Sequence, residues 1–130
     1  MKKILPIFLA ALLLVGCAAP AEEITYRQVN MDEAITMMEE DSGYIILDVR
    51  TPEEFAEKHI PGAINVANET IGTDEIPELP DKDQLILVYC RSGNRSKQAS
   101  EKLVALGYTN IVEFGGINDW PGKTVSGTGL

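Results

Sequence analysis

The chain has 130 residues, room for one domain, and its 45% hydrophobic and 24% charged residues exclude a disordered polypeptide. A formal net charge of −9 argues against nucleic acid, or an anionic membrane surface, as the partner of the folded body. Any anion site in this protein is therefore a local exception to its overall field.

In chain order, the first stretch is one to set aside from folding. Lys2 and Lys3 form a basic start, Ile4 to Val15 is an apolar run short for a membrane span, and small residues follow. Residues 1–16 are expected to be an export signal. The run Leu14-Val15-Gly16-Cys17 resembles the lipobox of bacterial lipoproteins, which implies cleavage before Cys17 and a lipid on its sulfur; an ordinary cleaved signal with a chance cysteine is the alternative. Cleavage there leaves nine basic and 20 acidic residues, a net charge of −11. Residues 17–23 then read as a lipidated cysteine and a short tether of small and acidic residues, ahead of a domain over 24–130. The expected location is extracytoplasmic, lipid-anchored to a bacterial membrane without embedding in it.

Ile24 to Arg27 is a short strand candidate. A helix is expected after Asn30, which can cap it, with Asp32 and Glu33 complementing the N-terminal dipole and Ala34, Ile35 and Met38 at helical spacing before Gly43. Tyr44 to Arg50 is a continuous apolar run ending in two charges, the pattern of a buried parallel strand. Thr51 and Pro52 open a second helix that should stop at Pro61-Gly62. "AINVA" is a short strand, Asn68 to Asp83 a loop-rich crossing, and Leu85 to Tyr89 a second buried strand. Asn94 to Leu106 is helical with Ala99, Leu103 and Leu106 on one face; Ile111 to Phe114 closes as a strand; the tail from Lys123 is expected to fray.

Strands alternating with helices predict an α/β domain with a central parallel sheet and helices on both faces. Ligands in such sheets bind at the carboxyl ends of strands. The two most charged strand exits are Asp48-Val49-Arg50 and Cys90-Arg91, which share one rim if their strands are neighbours.

Cys90 has four candidate roles: core residue, disulfide partner, metal ligand or nucleophile. A lipid on Cys17 leaves Cys90 without an intramolecular partner, and with His59 as the single histidine no S/N metal site can be assembled. The segment after Cys90 turns from strand to helix. It offers unpaired N–H groups and the positive end of a helix dipole, Arg91 and Arg95 add charge, and Gly93 lets the backbone curl inward. Each of these favours a thiolate. A buried strand-end cysteine acting as a small hydrophobe is the bland alternative, disfavoured because the apolar run stops at Cys90.

The segments "LDVRTPEEFAEKHIPGAINV", "LVYCRSGNRS" and "FGGINDW" together resemble the rhodanese-like family of single-domain sulfurtransferases, over most of the chain from about residue 24 to about residue 125. The resemblance implies the rhodanese-like fold, no cofactor, and a Cys90 that attacks the outer sulfur of thiosulfate or a polysulfide, becomes a persulfide and passes the sulfur to cyanide or a thiol. Arg91, Arg95 and Arg50 would hold the anionic part of the donor, and the N–H groups from Arg91 through Ser92, Gly93, Asn94 and Arg95 to Ser96 would hold the persulfide. Asp48 is expected to orient Arg50 or the loop, with Arg50 itself open between substrate contact and a structural role. A persulfide carrier or a binding module without turnover is the alternative reading. Cysteine phosphatases of the same fold carry an arginine six positions after the nucleophile; here that position is Ser96, and the shorter loop suits one extra sulfur. His59 is expected to pack or cap, and Trp120 to lie at the rim or in the core.

Overall fold

The computed structural model describes residues 25–128. The expected signal at 1–16, the lipid on Cys17, the tether to residue 23 and Ile24 at the start of the first strand candidate lie outside the described residues.

The elements run β1 (Arg27–Gln28), α1 (Met31–Glu40), β2 (Ile45–Asp48), α2 (Pro52–Glu57), β3 (Ile64–Asn65), β4 (Ile86–Cys90), α3 (Asn94–Ala105) and β5 (Ile111–Gly116), with short 3-10 turns at Asn68–Thr70 and Ile117–Asp119. The five strands form one sheet in the order β1-β5-β4-β2-β3, every pair parallel. The expected α/β architecture is thus the observed one, and β2 and β4 are neighbours, with Asp48 opposite Tyr89.

Side chains alternate across the sheet, so each buried strand feeds two cores. Leu47, Val49, Val88 and Cys90 face Ala99 and Leu103 of α3, with Ile71, Ile76 and Leu79 from the long crossing closing that side. Ile46, Leu87, Tyr89, Val112 and Phe114 face the other way, under Ala34 of α1 and Phe55 of α2. Covering both faces explains why β2 and β4 read as unbroken apolar runs.

Caps place the helices. Asn30 Oδ1 accepts the Glu33 N–H at 2.8 Å while Glu33 Oε1 accepts that of Asn30 at 2.9 Å, a reciprocal capping box. Thr51 and Glu54 repeat it at α2, with Pro52 in the first turn.

Among the differences from expectation, three have a direct structural cause. β1 is Arg27–Gln28, later than the Ile24–Arg27 candidate, because pairing on this edge runs alongside Val112 and Glu113 until the α1 cap intervenes. α2 ends at Glu57, short of Pro61, because the next residues are drawn elsewhere: the Lys58 carbonyl accepts from Arg50 Nη2 at 2.7 Å, and His59 forms an antiparallel bridge with Val125. The same bridge corrects the expected fraying from Lys123. His59 and Val125 exchange N–H···O bonds of 2.8 and 2.9 Å, and Gly127 N–H donates to the Ala56 carbonyl at 2.7 Å, so backbone pairing holds a tail whose side chains alone would not.

Candidate active site

β4 ends on Cys90, and a register shift between Val88 and Cys90 sets Cys90 opposite Gly116 of β5. The chain then turns through Arg91, Ser92 and Gly93 into α3. Gly93 sits at the helix N-cap with φ +109°, a left-handed conformation glycine takes readily. That conformation directs the Gly93 N–H onto Cys90 Sγ at 3.0 Å. The thiol in turn donates to Ser96 Oγ at 3.4 Å. The Cys90 side chain is buried beneath its own loop, and it is the free cysteine of the described residues.

The second wall is the turn after β5. Asn118 N–H donates to the Arg91 carbonyl at 3.2 Å, bringing the two backbones together. A Cβ on Gly116 would lie 2.0 Å from the Arg91 carbonyl oxygen and 2.6 Å from the Ser92 nitrogen, so only glycine admits the loop here. Gly116→Ala is therefore expected to destabilise the domain by about 1–3 kcal/mol, as overpacking does, and to change the reactivity of the Cys90 thiol on the order of 10²-fold through a displaced loop. Urea unfolding and the rate of Cys90 alkylation by iodoacetamide check the two parts separately.

The loop arginines divide. Arg91 is exposed, with no hydrogen-bond or ion-pair partner for its guanidinium among the described residues. Arg95, expected to hold the donor anion, is instead committed to Glu54 of α2 in a bidentate pair of 2.7 and 3.1 Å. The pairing follows from topology: the acidic first turn of α2 faces the first turn of α3 across the rim, and a planar guanidinium matches a carboxylate in two places. Arg95 thus ties the loop to the scaffold while still placing positive charge near Cys90. Its hydrogen bond, against the opposing effect of burial and with help from Thr51, holds the Glu54 carboxyl at about 2. A carboxyl depressed from 4.5 in this way stabilises the fold above pH 4.5, and the contribution is lost as pH falls toward 2. The unfolding free-energy difference between wild type and Glu54→Gln should be full above pH 4.5 and vanish toward pH 2.

Asp48 and Arg50 share the rim with Cys90 but not its face. The alternation of β4 sends Tyr89 to the opposite side from Cys90, and the Asp48–Arg50 pair is built on Tyr89. Asp48, fully buried, accepts from Arg50 Nε at 3.0 Å and Nη2 at 2.7 Å, from the Arg50 N–H at 2.9 Å and from the Tyr89 hydroxyl at 2.6 Å. Burial opposes the Arg50 charge, and the Asp48 hydrogen bond and charge outweigh it, leaving its pKa raised. Burial and then the Asp48 carboxylate push the Tyr89 hydroxyl up, so it stays a neutral donor. Asp48 and the Lys58 carbonyl hold the Arg50 guanidinium between them. It nevertheless lines, with Lys58, Glu57, Arg91 and Asn118, a depression of about 210 Å³ beside the loop.

His59 packs as expected: it is buried, stacked on Phe55 at 3.7 Å, with Nδ1 donating to the Phe55 carbonyl at 2.9 Å. Trp120 joins the core on the face away from Cys90, its Nε1 donating to the Lys123 carbonyl, and so does not bound the thiol pocket. Sequence reading missed Glu113. This carboxylate is buried, accepts from Ser96 Oγ and takes the Gly115 N–H at 3.0 Å. The signal was present as one acid inside the apolar strand "IVEF".

Residues 30–123 match the family described as Rhodanese-like domain. The chain is 38% identical over 73 residues to thiosulfate sulfurtransferase PspE of Escherichia coli, covering 56% of this chain and 70% of that one. It is 30% identical over 107 residues to thiosulfate sulfurtransferase GlpE of Pseudomonas entomophila, covering 78% and 94%. A solved structure described as a rhodanese with anions, from E. coli, superposes with a TM-score of 0.59 at 36% identity over 65% of this chain and 99% of that one. With a buried thiol at the turn from β4 into α3 on a five-stranded parallel sheet, and homologues named as sulfurtransferases, the chain belongs to the rhodanese-like domain family.

Proposed function

We propose that this rhodanese-type sulfurtransferase moves a sulfane sulfur from a small anionic donor, thiosulfate or a polysulfide, through a Cys90 persulfide to cyanide or a thiol. The observation that carries the reading is the Gly93 N–H aimed at Cys90 Sγ from the N-cap of α3, at the end of the short turn that leads from Cys90 into that helix. Cys90 Sγ forms a bond to the outer sulfur of thiosulfate, whose bond to the sulfonate sulfur breaks and whose electron pair leaves with sulfite. Negative charge moves onto the terminal sulfur, where the Gly93 N–H and the helix N-terminus oppose it without rearrangement. Arg91 is the loop cation free to meet the sulfonate; Arg50 and Arg95 contribute field from fixed positions. Ser96 at the sixth position supports sulfur over phosphoryl chemistry, since a phosphatase would need a guanidinium there.

The experiment is intact mass of the domain after thiosulfate. An adduct of about 32 Da, one sulfur on a thiol, that disappears with cyanide as thiocyanate forms supports transfer; no adduct with any sulfane donor sinks it. We further propose that Cys17 carries the lipid that anchors the domain outside the cytoplasm. Cys17→Ser should release the protein from the membrane fraction with its thiol chemistry intact, and membrane retention of that variant would refute the anchor.

A further inference from the structure

We propose that Glu113 holds the proton that Cys90 gives up on taking sulfur, with Ser96 passing it between them; this rests on the sulfur-transfer reading above and extends it. Three groups stand in line under the loop. Cys90 Sγ donates to Ser96 Oγ at 3.4 Å, and Ser96 Oγ donates to Glu113 Oε2, which the Gly115 N–H fixes at 3.0 Å. Their exposures are 1%, 0% and 3%, so the thiol proton has no direct route to water. Glu113 also differs from the other buried or half-buried acids described above. Asp48 has Arg50 and Glu54 has Arg95, whereas no lysine or arginine pairs with Glu113 among the described residues.

Before reaction, the chain of donors runs from the Cys90 thiol through Ser96 to the Glu113 carboxylate. As Cys90 Sγ bonds to the outer sulfur of thiosulfate, its proton moves to Ser96 Oγ while the Ser96 proton moves to Glu113. The persulfide anion then stands over a neutral carboxylic acid, and sulfite leaves with the electron pair of the broken S–S bond. The buried site carries one negative charge before and after, so no unpaired charge is created. With cyanide the steps reverse: the terminal sulfur leaves as thiocyanate and the proton returns through Ser96 to the sulfur of Cys90. No outside acid or base is needed.

The titratable and charged groups around this line are few. Arg91 and Arg95 flank Cys90 from the loop and α3, the latter held by Glu54. Tyr26, ahead of β1, faces Glu113 and Glu101 of α3, and its hydroxyl is pushed up by burial and then by those two acids, so it stays neutral.

The test compares wild type, Glu113→Gln, Ser96→Ala and Ser96→Thr by the rate of Cys90 alkylation with iodoacetamide across pH, and by persulfide formation with thiosulfate. Without the internal acceptor the thiol must ionise to solvent. Glu113→Gln and Ser96→Ala should react about tenfold slower or more at neutral pH, recovering about tenfold per pH unit while the thiol form dominates, and Ser96→Thr should restore the wild-type profile. A Glu113 that was merely a neighbouring anion predicts the opposite sign, because removing a repelling charge would speed alkylation. Faster or unchanged alkylation in Glu113→Gln overturns the proposal. Difference infrared spectra of wild type on loading with thiosulfate add a readout that needs no variant to fold: a protonated-carboxyl band should appear, absent from Cys90→Ser, and loading without that band overturns the proposal. If wild type takes up no sulfur while the alkylation pattern holds, the sulfur-transfer reading fails and the proton chain stands.

Discussion

Cys90→Ser is expected to reduce sulfur transfer from thiosulfate to cyanide to the uncatalysed background, a loss on the order of 10⁴-fold or more, of the size seen when an enzyme loses its nucleophile. Serine retains the volume and a polar atom near the Gly93 N–H, but a hydroxyl is a far weaker nucleophile toward sulfur than a thiol and cannot store sulfane sulfur. The thermal unfolding transition should stay where it is in wild type. The measurement is thiocyanate production alongside intact mass: an adduct on Cys90→Ser would place the sulfur elsewhere, and activity in that variant would remove Cys90 from the mechanism.

Asp48→Ala is expected to give the largest loss of stability, about 3–5 kcal/mol, because it strands a buried guanidinium and a buried hydroxyl together. The Arg50 side chain is only 4% exposed and cannot swing to water without opening the rim, and Tyr89 loses its acceptor at the same time. Urea unfolding with an unchanged m-value would show the loss as a shifted midpoint. Since Asp48 and Tyr89 lie on the opposite face of the sheet from the Cys90 side chain, the folded fraction of Asp48→Ala should still accept sulfur. Asp48→Leu combined with Arg50→Met should recover most of the stability, as apolar replacement of a complete buried pair does; a double variant as unstable as Asp48→Ala would mean that the pair contributes more than mutual neutralisation. The two variants separate chemistry from architecture on adjacent strand ends.

The fold was legible because its signals are local. Apolar runs at Ile45–Leu47 and Ile86–Tyr89 need cover on both faces, Asn30 and Thr51 cap the helices that supply part of it, and alternation of strand and helix leaves a parallel sheet as the natural arrangement. The loop was legible for the same reason. Cys90, Gly93 and Ser96 lie within one turn of chain, and the left-handed glycine, the N–H on sulfur and the buried hydroxyl are consequences of short-range geometry.

What the chain could not reveal locally was the partner of each charge. Arg95 reads as an anion-binding residue until Glu54, 41 residues earlier, takes it in a bidentate pair. Arg50 stayed ambiguous until Tyr89 and the Lys58 carbonyl closed around it. A polar tail from Lys123 reads as free until Val125 finds the backbone of His59. By itself the sequence determined the sheet, the helices and a lone cysteine at the end of β4, because periodicity, caps and turn residues act over a few bonds. Only the tertiary structure decided which arginine remains available and that Glu113 lies under Ser96. Those depend on strand order and on which face each side chain takes, and a buried charge is defined by the group folded against it, not by its neighbours in the chain.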